Sequence, residues 1–265
     1  EIASAIAAAE TLTEVEDIYR PYKQKRKTRA TVAVAKGLEP LADILLAQNI
    51  TSGTSEDLAI PFVDAEKGVE SVKDAIAGAE DIIAERVSDD AELRKKLRRI
   101  YLKNGEIVTK LTKTEDDAAK TYEMYADYSE NVAEIKPHRI LAINRGESEG
   151  YLKVKVLIDD AFAVRVCEAF FVKNESVTTS NVKNAVADAY KRLIQPSIER
   201  EVRGLLTENA QEQAIKMFDV NLRPLLMQPP VKDKITMGFD PAYRTGCKIA
   251  VVDGTGKVLA TTVVY

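Results

Sequence analysis

Two stretches of this 265-residue sequence carry residue types that could do chemistry. The first is YRPYKQKRKTRA, Tyr19 to Ala30, which holds Arg20, Lys23, Lys25, Arg26, Lys27 and Arg29 with no acid among them. Tyr19 and Tyr22 flank the cations, and a tyrosine ring can stack on an unpaired base. Tyr22, Lys23, Lys25, Arg26, Lys27 and Arg29 therefore form the candidate nucleic-acid-binding set. About five phosphate contacts of this kind would weaken duplex binding about 500-fold between 50 and 200 mM salt through counterion release. The competing interpretation is a solvated loop, or cations that pair with Glu14, Glu16 and Asp17 of the preceding segment. The second stretch is KITMGFDPAYRTGCKIAVVDGTGKVL, which sets Asp240 at the end of an apolar strand. A carboxylate there could ligate Mg²⁺, as one of several that hold two metal ions about 4 Å apart for attack on a phosphodiester. Alone it would leave most octahedral positions to water, so Asp240 is a candidate metal ligand of an incomplete site. Pro241, Ala242, Tyr243 and Arg244 do not make the glycine- and hydroxyl-rich loop that a nucleotide phosphate needs.

Other chemistry-bearing residues are read as structural. Arg94, Lys95, Lys96, Arg98 and Arg99 share a segment with Leu93, Leu97 and Ile100, which claim the core side and assign the cations to a solvated face. His138 is the single histidine and has no second histidine to complete a zinc or nucleophile constellation. Cys167 and Cys247 have no CxxC companion, so both are expected to pack rather than to ligate or cross-link. No cofactor is expected. A net charge of -4 excludes a protein that coats nucleic acid or anionic membrane with its whole surface. No apolar run approaches the roughly 18 residues a membrane span needs, and no signal peptide is present, which predicts a cytoplasmic protein with no membrane partner.

The elements that must position these residues are mostly helical. Val69, Val72, Ile76, Ala79, Ile83 and Val87 recur every three or four residues, which predicts an amphipathic helix over 69–87. Ser88, Asp89 and Asp90 supply a cap for a second helix through Leu93, Leu97 and Ile100. Before them, TRATVAVAKGLEPLADILLA predicts a helix, a left-handed stop at Gly37 and a second helix from Glu39, with the Ala33 to Gly37 spacing suited to the tight crossing of a helix-turn-helix. Val182 to Leu206 is helical, with Pro196 either starting a new helix or kinking one long one. Leu152, Val154, Val156 and Ile158 alternate with polar residues as in a half-buried strand, and Ile107, Thr109 and Leu111 give a weaker echo. Gln228, Pro229 and Pro230 mark a boundary. Three strands then follow: Ile235 to Asp240, Cys247 to Val252, and one after the hairpin turn at Asp253 to Gly256. An aspartate ending such a first strand is how RNase H-like folds begin. The division that results is a helical region over 1–103 with the helix-turn-helix-like unit, a small mixed α/β segment over 104–160, a helical core over 161–230, and strands over 235–265. The fold class is mainly α with a small β element, followed by the opening hairpin strands of a truncated RNase H-like α/β domain. Glu1 opens directly into a helical pattern and Tyr265 closes on a strand, so the chain is read as a fragment.

Several blocks, in order, resemble the Tex family of bacterial transcription accessory proteins: IYRPYKQKRKTRATVA with KGLEPLAD, FVDAEKGVESVKDAIAGAEDIIAERVSDD, PHRILAINRGESEGYLKV, NVKNAVADAYKRLIQPSIERE, and GFDPAYRTGCKIAVVDGTGKVLATTVVY. The resemblance implies a helix-rich region, then a YqgF-type RNase H-like domain, a helix-hairpin-helix region and a C-terminal OB-fold that binds RNA. It places Asp240 at the first-strand aspartate of the YqgF-type domain, with Ala242 where the family commonly has glycine. The expected role is a non-catalytic, nucleic-acid-associated transcription accessory scaffold. It would bind RNA or DNA weakly through this part, with the transcription machinery as a further partner. The alternatives are a metal-dependent nuclease of resolvase type when full length, and a protein-binding scaffold.

Overall fold

The structure, a computed structural model, describes residues 2–9, 11–23, 27–112, 117–229 and 231–265. In chain order the helices begin with α1 (Ile2–Ala8), α2 (Leu12–Tyr19), α3 (Arg29–Ala35), α4 (Glu39–Ala47), α5 (Ser55–Ala59), α6 (Val72–Asp89) and α7 (Ala91–Asn104). Strands β1 (Glu106–Leu111) and β2 (Asp127–Asn131), helix α8 (Pro137–Ser148) and strand β3 (Leu152–Leu157) follow. Then come α9 (Asp160–Phe171), α10 (Thr179–Asp188), a π-helical stretch Ala189–Ile194, and α11 (Gln195–Leu226). The last elements are β4 (Thr236–Asp240), β5 (Cys247–Val252) and β6 (Val258–Val264). The mainly helical class expected from periodicity is what the chain adopts. Two units are distinguishable, residues 1–210 and 211–265.

Helix α6 organises the first unit. Ser71 caps it by accepting from the Asp74 amide at 3.2 Å, and Ala75, Ala79, Ile83 and Val87 fall on its buried stripe. Val69 does not belong to this helix, contrary to the periodicity. It is buried, but it exchanges both backbone hydrogen bonds with Asp64 in an antiparallel bridge, and the Ser71 cap then sets the start at Val72. Asp90 caps α7 by accepting from Leu93 N at 2.7 Å, so two helices meet at the acid cluster as their sequence implies.

Helix α3 ends as expected at Gly37, whose φ of +83° only glycine adopts without strain. The Gly37 amide donates to Val34 O and that of Leu38 to Ala33 O, the paired bonds of a Schellman motif. The tight crossing is displaced from the Ala33 to Gly37 turn to the contact of α3 with α6. A Cβ on Gly78 would lie 2.4 Å from Leu38 Cδ1 and 3.4 Å from Ala33 Cβ, so only glycine permits this approach.

The small sheet of this unit runs β2-β1-β3, antiparallel throughout. Leu152, Val154 and Val156 face the core while Lys153 and Lys155 face solvent, as the alternation requires. After α10 the helical path widens into the π stretch before Pro196. Proline has no amide to bond the fourth carbonyl back and its ring crowds that carbonyl, and the wider turn absorbs both effects without ending the path. The stretch also places Tyr190 to meet the Tyr101 hydroxyl at 3.0 Å and to donate to Asp160 at 3.0 Å.

The cations of α7 do not form one solvated face. Arg94 is fully buried and Arg98 is 8% exposed. Arg94 donates from Nε to Asp17 Oδ1 at 2.8 Å, from Nη2 to Ser197 Oγ at 3.0 Å, and to Glu201. Arg98 reaches Asp17 Oδ2 and Glu201 Oε2, both at 2.7 Å. Positions 94 and 98 adjoin Leu93 and Leu97 on the wheel, so they sit at the margin of the apolar stripe and are covered by α2 and α11. Lys95, Lys96 and Arg99 remain exposed, with Lys95 paired to Glu14 at 2.8 Å and Lys96 5.2 Å over the Phe170 ring. Cys167 is buried and its thiol is pushed up to about 12 by burial, which leaves it a packing residue.

The second unit pairs its strands antiparallel in the order β4-β5-β6. Asp253 holds the hairpin by accepting from Thr255 N at 2.9 Å and Lys257 N at 3.0 Å. Its carboxyl is lowered chiefly by the Thr255 hydroxyl.

Arg94→Met leaves Arg98 as the single guanidinium answering both Asp17 and Glu201, and is expected to cost about 3 kcal/mol in urea unfolding. Arg99→Ala should stay within about 0.5 kcal/mol, and similar destabilisation by both would return α7 to a solvated face. Glu80 is raised above its ordinary 4.5 by burial, so its ionised form is disfavoured in the folded chain. The stabilising contribution of its protonated form is full below 4.5 and is lost as pH rises through the raised value. Glu80 accepts from Asn181 Nδ2 at 3.0 Å, while Asn181 Oδ1 is buried without a hydrogen-bond partner. Glu80→Gln keeps the acceptor for Asn181 and removes the ionisation that burial disfavours, so it stands for the protonated form at every pH. At pH 7 the variant should be more stable by about 1 kcal/mol, with the gap closing below pH 4.5, as read from thermal unfolding at several pH values.

Candidate nucleic-acid interface

The basic stretch spans the end of α2 and the start of α3. Arg20 to Tyr22 form a 3₁₀ turn started by Pro21, and Thr28 caps α3 through a reciprocal capping box with Thr31. The turn and the cap hold the ends of the stretch on packed helices. Arg20 is drawn inward, donating from Nε to Asp89 at 3.1 Å. Tyr19 and Tyr22 are exposed at 52% and 59%, and Lys23, Lys27 and Arg29 are also on the surface. Among the described residues neither Lys23 nor Lys27 has an ion-pair partner, while Arg29 faces the Asp81 carboxylate and helps to hold it ionised against burial. Lys25 and Arg26 lie outside the described residues.

Two of the three acids named as intramolecular partners, Asp17 and Glu14, are engaged with α7. Asp17 is buried on Arg94 and Arg98, and Glu14 pairs with Lys95. The carboxylates that do meet the stretch, Asp89 and Asp81, lie on α6. Nothing in the local sequence separates these possibilities, because the choice is made by a helix far downstream.

In the second unit, Asp240 ends β4 directly opposite Lys248 of β5, and it is exposed. Thr236, Gly238 and Asp240 share a sheet face with Lys248 and Ala250, so an ammonium is the cross-strand neighbour of the carboxylate. Among the described residues no group of three or more His, Cys, Asp or Glu could hold a metal ion. His138 is exposed in the first turn of α8. No helix among the described residues is long and apolar enough to cross a membrane.

Comparison with known proteins gives these features a family. The chain is 49% identical over 259 residues to the Bacillus subtilis protein YdcI, covering 96% of this chain and 36% of that protein. It is 35% identical over 271 residues to the transcriptional accessory protein Tex of Neisseria gonorrhoeae, covering 100% of this chain and 35% of that protein. It is 33% identical over 278 residues to the human S1 RNA-binding domain-containing protein 1, covering 98% of this chain and 27% of that protein. The chain thus spans about a third of the length of the curated bacterial relatives it matches. Residues 234–265, with Asp240 and its hairpin, match the Tex protein YqgF-like domain. Residues 51–218 match the Tex central region-like family model, and since this match runs through more than half of the sequence, the chain belongs to the Tex family.

Proposed function

We propose that this chain is the scaffold part of a non-catalytic, nucleic-acid-associated transcription accessory protein, acting in the cytoplasm. It contacts a strand through Tyr22, Lys23, Lys25, Arg26, Lys27 and Arg29, beside the helix-turn-helix-like pair α3 and α4. The observation that carries this reading is the exposure of Tyr22, Lys23 and Lys27 without ion-pair partners among the described residues, on a chain whose net charge is -4. Unpaired cations beside an exposed aromatic ring are what a single strand needs from a surface. The names of the relatives, one a transcriptional accessory protein and one an S1 RNA-binding domain-containing protein, support the same class.

A second reading, a protein-binding scaffold for the transcription machinery, is favoured by the exposed Ile215, Met217, Phe218 and Val220 on α11. The nuclease reading gains nothing from Lys248 opposite Asp240.

Titrating single-stranded RNA binding against salt tests the basic stretch. Changing Lys23, Lys25, Arg26 and Lys27 together to glutamate should weaken binding and flatten the slope of log K against log salt by about 0.7 for each phosphate no longer neutralised. Unchanged affinity and slope would remove the stretch from the interface.

A further inference from the structure

The basic stretch borders a cleft of about 680 Å³ between α3 and α6. Its lining includes Lys27, Arg29, Lys36, Glu70, Asp74 and Asp81 around Ala33, Ala77 and Gly78, and the Lys36 side chain reaches across to the Gly68 carbonyl. These charges are not equally neutralised. Asp81 is paired with Arg192 at 3.0 Å and faces Arg29. Lys27, Lys36, Glu70 and Asp74 have no ion-pair partner among the described residues, although both signs surround a small-residue floor. Lys36 uses one N–H on the Gly68 carbonyl at 2.7 Å, which leaves two donors. Asp74 accepts from the Ser71 hydroxyl through Oδ2 at 2.7 Å, which leaves Oδ1. The floor stays low because any side chain at Gly78 would strike Leu38.

A ligand that satisfies both signs must be anionic at one end, carry hydrogen-bond donors at the other, and be flat enough to lie on small apolar residues between them. We propose that the cleft takes one unpaired nucleotide of a bound strand, with its phosphate on Lys27 and Lys36 and the edge of its base on Asp74 and Glu70. This inference rests on the reading of the basic stretch as a strand contact and adds base preference to it. A carboxylate accepts from the amino group of cytosine, whereas uracil turns an acceptor oxygen to the same place. The cleft lies within the range of small-molecule sites, which run from about 300 to 1,000 Å³. Contact of the base with the floor replaces the stacking it gives up on leaving its neighbours.

The test is fluorescence anisotropy with oligocytidylate and oligouridylate of equal length on the full chain. The expected result is about tenfold tighter binding of oligocytidylate. Asp74→Asn with Glu70→Gln should bring the two affinities to within about twofold of each other, chiefly by removing the cytosine advantage. Asp74→Asn alone keeps the Ser71 cap bond and should move the ratio in the same direction. Lys36→Gln should weaken both oligonucleotides equally. Equal affinity in the unsubstituted chain, or a cytosine preference that survives removal of both acids, overturns the cleft. Base-blind binding that still responds to Lys23, which lies outside the cleft, overturns the cleft alone, whereas no binding of either oligonucleotide overturns the strand contact with it.

Discussion

The fold of the first unit depends on two arginines withdrawn from water, Arg94 fully and Arg98 almost so. Arg94 and Arg98 on α7 meet Asp17 from α2 and Glu201 from α11, so three segments far apart in sequence share one set of charges. Desolvating two guanidinium groups is expensive, and the cost is offset only because each is answered by a carboxylate in hydrogen-bonding geometry. The constraint runs in both directions. Asp17 is the one buried residue of helix α2, whose Val15 and Ile18 are only partly covered. The carboxylate therefore fixes where α2 lies.

That placement governs the candidate interface. The basic stretch leaves the end of α2, held by Asp17 and by Arg20 on Asp89, and enters α3, held by the Gly78 crossing on α6. Both ends are anchored to α6 or α7, while cations and an exposed tyrosine lie between them. The same α3–α6 crossing that anchors α3 also lines the cleft beside it, so packing and recognition share the same small residues.

The second unit works under a different physical regime. Its three strands hydrogen-bond to one another in register, but Met237, Phe239 and Val264 remain exposed, and the Asp240 carboxylate is open to water. Electrostatic chemistry needs water excluded and several charges converging. The match of this segment to a YqgF-like domain bears on fold and family.

Much of the fold was legible from local periodicity. The stripes of α6, α7 and β3, the caps at Asp90 and Gly37, and the hairpin at Asp253 follow from neighbours within a few positions, where the sequence alone sets the backbone preference. Strand β2, Asp127–Asn131, escaped because DYSEN is a polar edge strand with no apolar alternation, and it is a strand only because β1 lies beside it. The π stretch before Pro196 likewise required knowing which side of the helix was packed. Asp240 and the basic residues between Tyr22 and Arg29 stand out by charge and type, which sequence supplies directly. Whether a given cation is free or spent was decided by tertiary structure, because Arg94, Arg98 and Arg20 find their carboxylates 69 to 107 residues away. Local sequence dictates the periodicity that creates a helix face, but only folding brings distant charges close enough for Coulomb attraction to outweigh water.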